Sequence, residues 1–156
     1  MVKFLGGPND YTKEPFANYS FYLEIDGITE AVFREASGMG SNSEVIESRH
    51  STKDGKTVVK KTPGNLKWDD ISLKRGFTSD MKLHDWRSKI EAGKVNDARK
   101  HGSITVYSAE GTPLAKWSFV NAWPSKLSGP SLNATSNEIA IEEITIVHEG
   151  ITREKV

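Results

Sequence analysis

A strict two-residue alternation near the N-terminal end constrains this chain more than any other feature. Tyr19, Phe21, Leu23 and Ile25 alternate with Ser20, Tyr22, Glu24 and Asp26, the period of a strand with one face in a core and the other turned away from it. Asp26-Gly27 follows as a turn signal, because a tight hairpin reversal needs backbone angles that these two residue types tolerate. A second arm is expected over 31–37, running into Gly38-Met39-Gly40-Ser41, where two glycines permit a bend that other residues resist.

The same pattern recurs later in the chain. After Gly102, Ile104 and Val106 share one face of an expected strand over 103–108, Glu110-Gly111 reads as a turn, and Ala115, Trp117 and Phe119 share a face over 114–121. Trp123-Pro124 begins a less regular stretch that Gly129-Pro130 breaks. In the last run Ile139 and Ile141 fall on one face and Ile144 and Ile146 on the other, so a bulge near Glu142-Glu143 or burial of both faces is expected. One helix is expected over 79–92: Ser79 or Asp80 caps it, Gly93 ends it, and Leu83, Trp86 and Ile90 line one side. Trp68, Leu73, Trp86, Trp117 and Phe119 are the expected core. The fold class is mainly β, with six to eight strands forming two packed antiparallel sheets or a partly open β-barrel, plus one α-helix.

Residues 42–61 stand apart. Lys53-Asp54-Gly55-Lys56 is a turn signal between weak β patterns at Val45-Ile46 and Val58-Val59, yet neither arm has a clean apolar face. A hairpin of this kind buries little against its own core and is expected to project, its lysines guarding an exposed edge or its length reaching a partner. Lys53, Lys56, Lys60 and Lys61 lack interleaved aromatics, which argues against single-stranded nucleic acid stacking there. Residues 1–17, with Gly6, Gly7, Pro8 and Pro15, read as an arm preceding a single domain over 18–156. That arm is either a frayed terminus or, given its apolar Phe4, Tyr11 and Phe16, a segment ordered against a neighbouring subunit.

The chemistry of catalysis is missing from the pattern. The 156 residues contain no cysteine, and His50, His84, His101 and His148 are widely spaced, so no zinc-ligand spacing appears. Gly38-Met39-Gly40 does not complete a dinucleotide fingerprint, no G-x-S-x-G elbow exists, and Glu142-Glu143 point to opposite sides of a strand. No catalytic residue, cofactor or metal is expected. The 21 basic and 21 acidic residues cancel to a formal charge of zero, so no global field draws nucleic acid or an anionic membrane. No signal-peptide core or membrane-spanning run is present in the sequence.

Taken in order, F-Y-L-E-I from Phe21, the run Phe33 to Gly38-Met39-Gly40, the block Pro63 to Trp68 leading into Ile71–Phe77, the helix with Trp86 and Ile90, Trp117 to Pro124, and Asn137 to Ile146 resemble the tail-tube proteins of contractile phages and phage-like contractile injection systems. The resemblance covers roughly residues 16 to 150. It implies a structural subunit that closes into hexameric rings, stacked as a rigid inner tube that a contracting sheath drives through a target envelope. Implied partners are copies of the chain itself, a sheath protein, baseplate and tube-cap proteins, and lumen cargo, either a protein effector or DNA. No specific nucleic-acid binding and no membrane insertion by the monomer are implied. Assembly in the bacterial cytoplasm, within a phage-tail-like particle or virion, follows from the same resemblance.

Residue roles on this reading are assigned by position. Val45, Ile46, Arg49, Lys53, Asp54, Lys56, Val58 and Lys60 are candidates for the ring-stacking interface. Glu24, Asp26, Glu138 and Glu142 are candidates for lining the lumen. Phage tail tube, type VI secretion ring protein and solitary β-barrel binding module stay open as alternatives to the injection-system tube.

Overall fold

The computed structural model describes residues 19–26, 28–30, 33–135 and 137–156. The arm residues Phe4, Tyr11 and Phe16 lie outside them. Among the described residues, ten strands and two helices run in the order β1 (Tyr19–Ile25), β2 (Ile28–Glu30), β3 (Glu35–Ser37), β4 (Ser41–Ser51), β5 (Thr57–Trp68), β6 (Ile71–Gly76), α1 (Lys82–Glu91), α2 (Val95–Ala98), β7 (Lys100–Ser108), β8 (Pro113–Ser128), β9 (Ile141–Val147) and β10 (Gly150–Glu154). All the pairings are antiparallel.

The body is two sheets joined by β8. The first half of β8 pairs with β7 and β10, and β7 carries β1 and β2. The second half pairs with β9, which carries β6 and then β3. Strands that turn from one sheet into another do so at local irregularities, and β8 does so at Asn121. This residue has φ of 50°, and the β7–β8 register shifts beside it. The irregularity expected from Trp123-Pro124 takes the form of a register shift between Pro124 and Lys126, within a strand that continues to Ser128. Trp123 and Pro124 stay in the ladder opposite Val147 and Ile146, because β8 changes partner there instead of ending.

Between the two sheets lies one apolar core containing Leu23, Ile104 and Phe119 from the first and Leu73, Ile144 and Ile146 from the second. Two of the five expected core residues are only half-buried: Trp68 closes the hairpin base, and Trp117 carries the Arg153 guanidinium 5.5 Å from its ring centroid. An indole is large enough to pack one edge while leaving the other outside.

The second arm after the Asp26 reversal is divided between the sheets. Ile28 already pairs with Ile25, and β3 joins β6 in the other sheet. At the last run no bulge occurs. Glu142, Ile144 and Ile146 alternate inward without interruption, and Ile139 precedes the strand. The apparent change of phase arose because a carboxylate occupies an inward position.

Helix α1 begins at Lys82, three residues later than the pattern suggested, with Asp80 Oδ1 accepting from the Lys82 amide at 3.0 Å. Gly93, at φ of 78°, ends it: its amide donates to the Ile90 carbonyl and that of Lys94 to Lys89, the paired closure that a left-handed residue permits. Leu83 and Trp86 are buried, as the helical spacing requires. The expectation of a single helix missed α2, a four-residue turn too short to show periodicity. The Trp86 indole NH donates to the Ala98 carbonyl at its end, 2.7 Å away.

Candidate assembly surfaces

β4 and β5 form a two-stranded sheet of their own, nearly every residue of which is exposed. Eleven residues in β4 give a projection of roughly 35 Å at strand rise. The turn at its tip is closed by Thr52 and Lys56, which exchange a backbone bond at 2.8 Å, with Gly55 at φ of 76° between them.

Cross-strand register sorts the side chains, because residues directly opposite share a face. Val45 with Pro63, Glu47 with Lys61 and Arg49 with Val59 lie on one face. Ile46 with Thr62, Ser48 with Lys60 and His50 with Val58 lie on the other. The eight residues assigned to ring stacking are thus divided between both faces and the tip. Val45 is 64% exposed and Ile46 54%, so each face offers apolar surface as well as charge.

The hairpin root is fixed in place. Gly38 has φ of 85°, and a Cβ there would collide with the Asp70 carbonyl oxygen. The Asp69 amide donates to the Gly40 carbonyl at 3.1 Å. His148 Nε2 lies 3.1 Å from the Asp69 carbonyl oxygen, and its ring sits between those of Trp68 and Phe119, with centroids 6.1 and 6.2 Å away. The role of His148 was not visible in the sequence, since it depends on the turn between β9 and β10 coming under the end of β5.

A second surface is the pair of edges of the first sheet. Among the described residues β2 pairs only with β1 and β10 only with β8, so the sheet ends in unpaired backbone donors and acceptors on opposite sides. Such edges are templates for another strand.

The outward face of that same sheet is polar. One row across it reads Tyr22, Thr105, Lys116, Glu154, and the next reads Glu24, Ser103, Ser118, Thr152. Lys116 Nζ and Glu154 Oε2 lie 3.8 Å apart. Of the lumen candidates, Glu24 belongs to this face and exposed Asp26 follows the end of its strand, whereas Glu138 lies ahead of β9 by the second sheet.

Glu142 is a correction. It is 2% exposed and faces Arg75, itself 3% exposed, with Arg75 Nε 3.1 Å from Glu142 Oε2. His84 Nε2 on α1 lies 3.0 Å from Oε1. A carboxylate this deeply buried against a guanidinium lines no lumen, and its contact with half-exposed His84 ties α1 to the second sheet. The sequence carried one clue: Glu142 keeps the inward phase of Ile144 and Ile146.

On the inner side of the first sheet, a groove of about 880 Å³ opens over Phe21, Phe33, Ile104, Val106, Ala115 and Trp117. Among the described residues no group of three or more His, Asp or Glu side chains could hold a metal ion. No described helix is long and apolar enough to cross a membrane.

Comparison with known proteins agrees with this arrangement. No curated protein matches the chain. Among solved structures, a chain from the sheath–tube complex of the PVC extracellular contractile injection system is 30% identical, with a TM-score of 0.75 over 93% of this chain and 95% of that one. A chain from the tube-terminating cap of the anti-feeding prophage is 31% identical, with a TM-score of 0.74 over 92% and 93%. Hcp1 from Flavobacterium johnsoniae shares the fold at 16% identity, with a TM-score of 0.56 over 86% of this chain and 94% of that chain. The model of the T4-like virus tail tube protein gp19 family matches residues 17–152. With that match spanning nearly the whole chain, including the hairpin and both sheets, this protein belongs to the T4-like tail tube protein family.

Proposed function

We propose that this tail tube protein forms the inner tube of a contractile injection system, closing into hexameric rings that stack and conduct cargo when a surrounding sheath contracts. The observation that carries the proposal is the disposition of β2 and β10, unpaired edges on opposite sides of one sheet. A head-to-tail contact needs two different surfaces on each subunit, and rotation about an axis then closes the ring. Edge joined to edge, the sheets of successive subunits form one wall, with the polar face bearing Glu24 turned into the bore.

Stacking falls to the hairpin. Val45, Arg49 and Val59 on one face and Ile46, Val58 and Lys60 on the other suit insertion between surfaces of the next ring, and Lys53, Asp54 and Lys56 reach furthest. Phe4, Tyr11 and Phe16 in the N-terminal arm contact a neighbouring subunit. Sheath, baseplate and cap proteins are the further partners, and the tube does no chemistry. Likeness near 30% identity to chains of two injection systems favours this setting over a phage tube carrying DNA. Subunits fold in the cytoplasm and join the particle there.

Electron microscopy of purified protein across a concentration series tests the reading, with a variant lacking Lys53 to Lys56 beside it. Six-fold rings and tubes from the full chain, and rings alone from the variant, are expected. Long tubes from the shortened chain would remove the stacking role of the hairpin.

A further inference from the structure

We infer that the polar face of the first sheet carries a contact site for polypeptide cargo, built around Tyr22, Tyr107 and Glu24 and suited to basic side chains. This inference rests on the reading above, in which that face lines the bore.

Two adjoining hollows lie on this face. One of about 380 Å³ is bordered by Ser20, Tyr22, Glu24, Thr105 and Tyr107, and one of about 580 Å³ by Glu24, Thr105, Tyr107, Pro113 and Lys116. Tyr107, Glu24 and Thr105 belong to both. Thr105 is 7% exposed, so it lies low between them. Tyr22 and Tyr107 meet edge to face, with centroids 5.2 Å apart and planes at 86°. That arrangement holds one ring against the edge of the other, so the pair is braced and loses little freedom when a ligand arrives.

Charge selects the ligand class. Glu24 is exposed and stands at both hollows, while Lys116 on the same face has Glu154 3.8 Å away. Polyanions are held by unmatched lysines and arginines, and this face has a carboxylate where such a ligand would need a cation. A lysine or arginine side chain meets the reverse: a carboxylate for its charge and aromatic faces that attract cations. The hydroxyls of Ser118 and Thr152 in the neighbouring row offer hydrogen bonds to a passing backbone without gripping it. Repeated around each ring, shallow sites of this kind favour transit over tight retention.

The test uses the free subunit and assembled tubes. Nuclear magnetic resonance titration of the subunit compares a short arginine- and lysine-containing peptide, an acidic peptide and an oligothymidylate. The basic peptide is expected to bind, with Glu24→Gln and Tyr107→Ser each weakening it about three-fold, while Glu47→Gln on the hairpin leaves it unchanged. Equal binding by all variants, or preference for the oligonucleotide, overturns the site. In tubes, the cysteine-free background makes Glu24→Cys a unique label. Reaction with a small maleimide but not with a polymer-linked maleimide too large for the bore is expected. Reaction with both would instead overturn the lumen placement, a failure distinct from loss of peptide binding.

Discussion

Asn121 Nδ2 donates to Glu149 Oε2 across 2.6 Å, joining the bend of β8 to the turn between β9 and β10. The Glu149 amide donates to the neighbouring Val120 carbonyl at 3.0 Å, so the two segments are fastened by both backbone and side chain. Left-handed angles suit asparagine better than most residues. Asn121→Ala should cost about 1–2 kcal/mol, from backbone strain and the lost bond together. Asn121→Gly, which relieves the strain, should cost less. Urea denaturation of the subunit measures both, and equal losses would mean that φ at this position is immaterial.

The buried pair of Arg75 and Glu142 gives the sharpest stability prediction. Glu142→Ala leaves a guanidinium inside the fold without its carboxylate and should destabilise by about 3–5 kcal/mol. Replacing both, as Arg75→Met with Glu142→Leu, should recover most of that loss. A double variant as unstable as the single one would show that the pair adds net stability of its own.

Gly38→Ala should fail locally. The new methyl would require positive φ and would meet the Asp70 carbonyl, for about 3 kcal/mol or more. Because Gly38 lies immediately ahead of the hairpin, hydrogen exchange should quicken at the Asp69 amide, which bonds the Gly40 carbonyl, before it quickens at Leu23. Uniform acceleration across both would argue against a local effect.

On the hairpin the expectation is the opposite. Val45→Ser and Ile46→Ser should change subunit stability by less than about 0.5 kcal/mol, as exposed positions do, yet each should shorten tubes, because each removes apolar surface from a different face. A variant that melts early would show that these residues serve the fold instead.

Strand alternation, the helix around Trp86, the tip at Asp54-Gly55 and the poor apolar faces of the hairpin were all legible in the sequence, because each depends on near neighbours and a fixed period. Mainly β architecture and family membership followed from their order along the chain. What the sequence left undetermined is contact between distant segments. Glu142 looked like a surface charge until β6 placed Arg75 opposite it and α1 placed His84 beside it. Trp68 and Trp117 looked like core until the sheets left one side of each ring outside, and the irregular stretch from Trp123-Pro124 gave no sign that β8 exchanges β7 for β9 there. Periodicity reports which way a residue faces relative to its neighbours in the strand. Only the packing of the two sheets about β8 decides what each of those faces meets, and therefore which charges are buried and which edges stay open for another subunit.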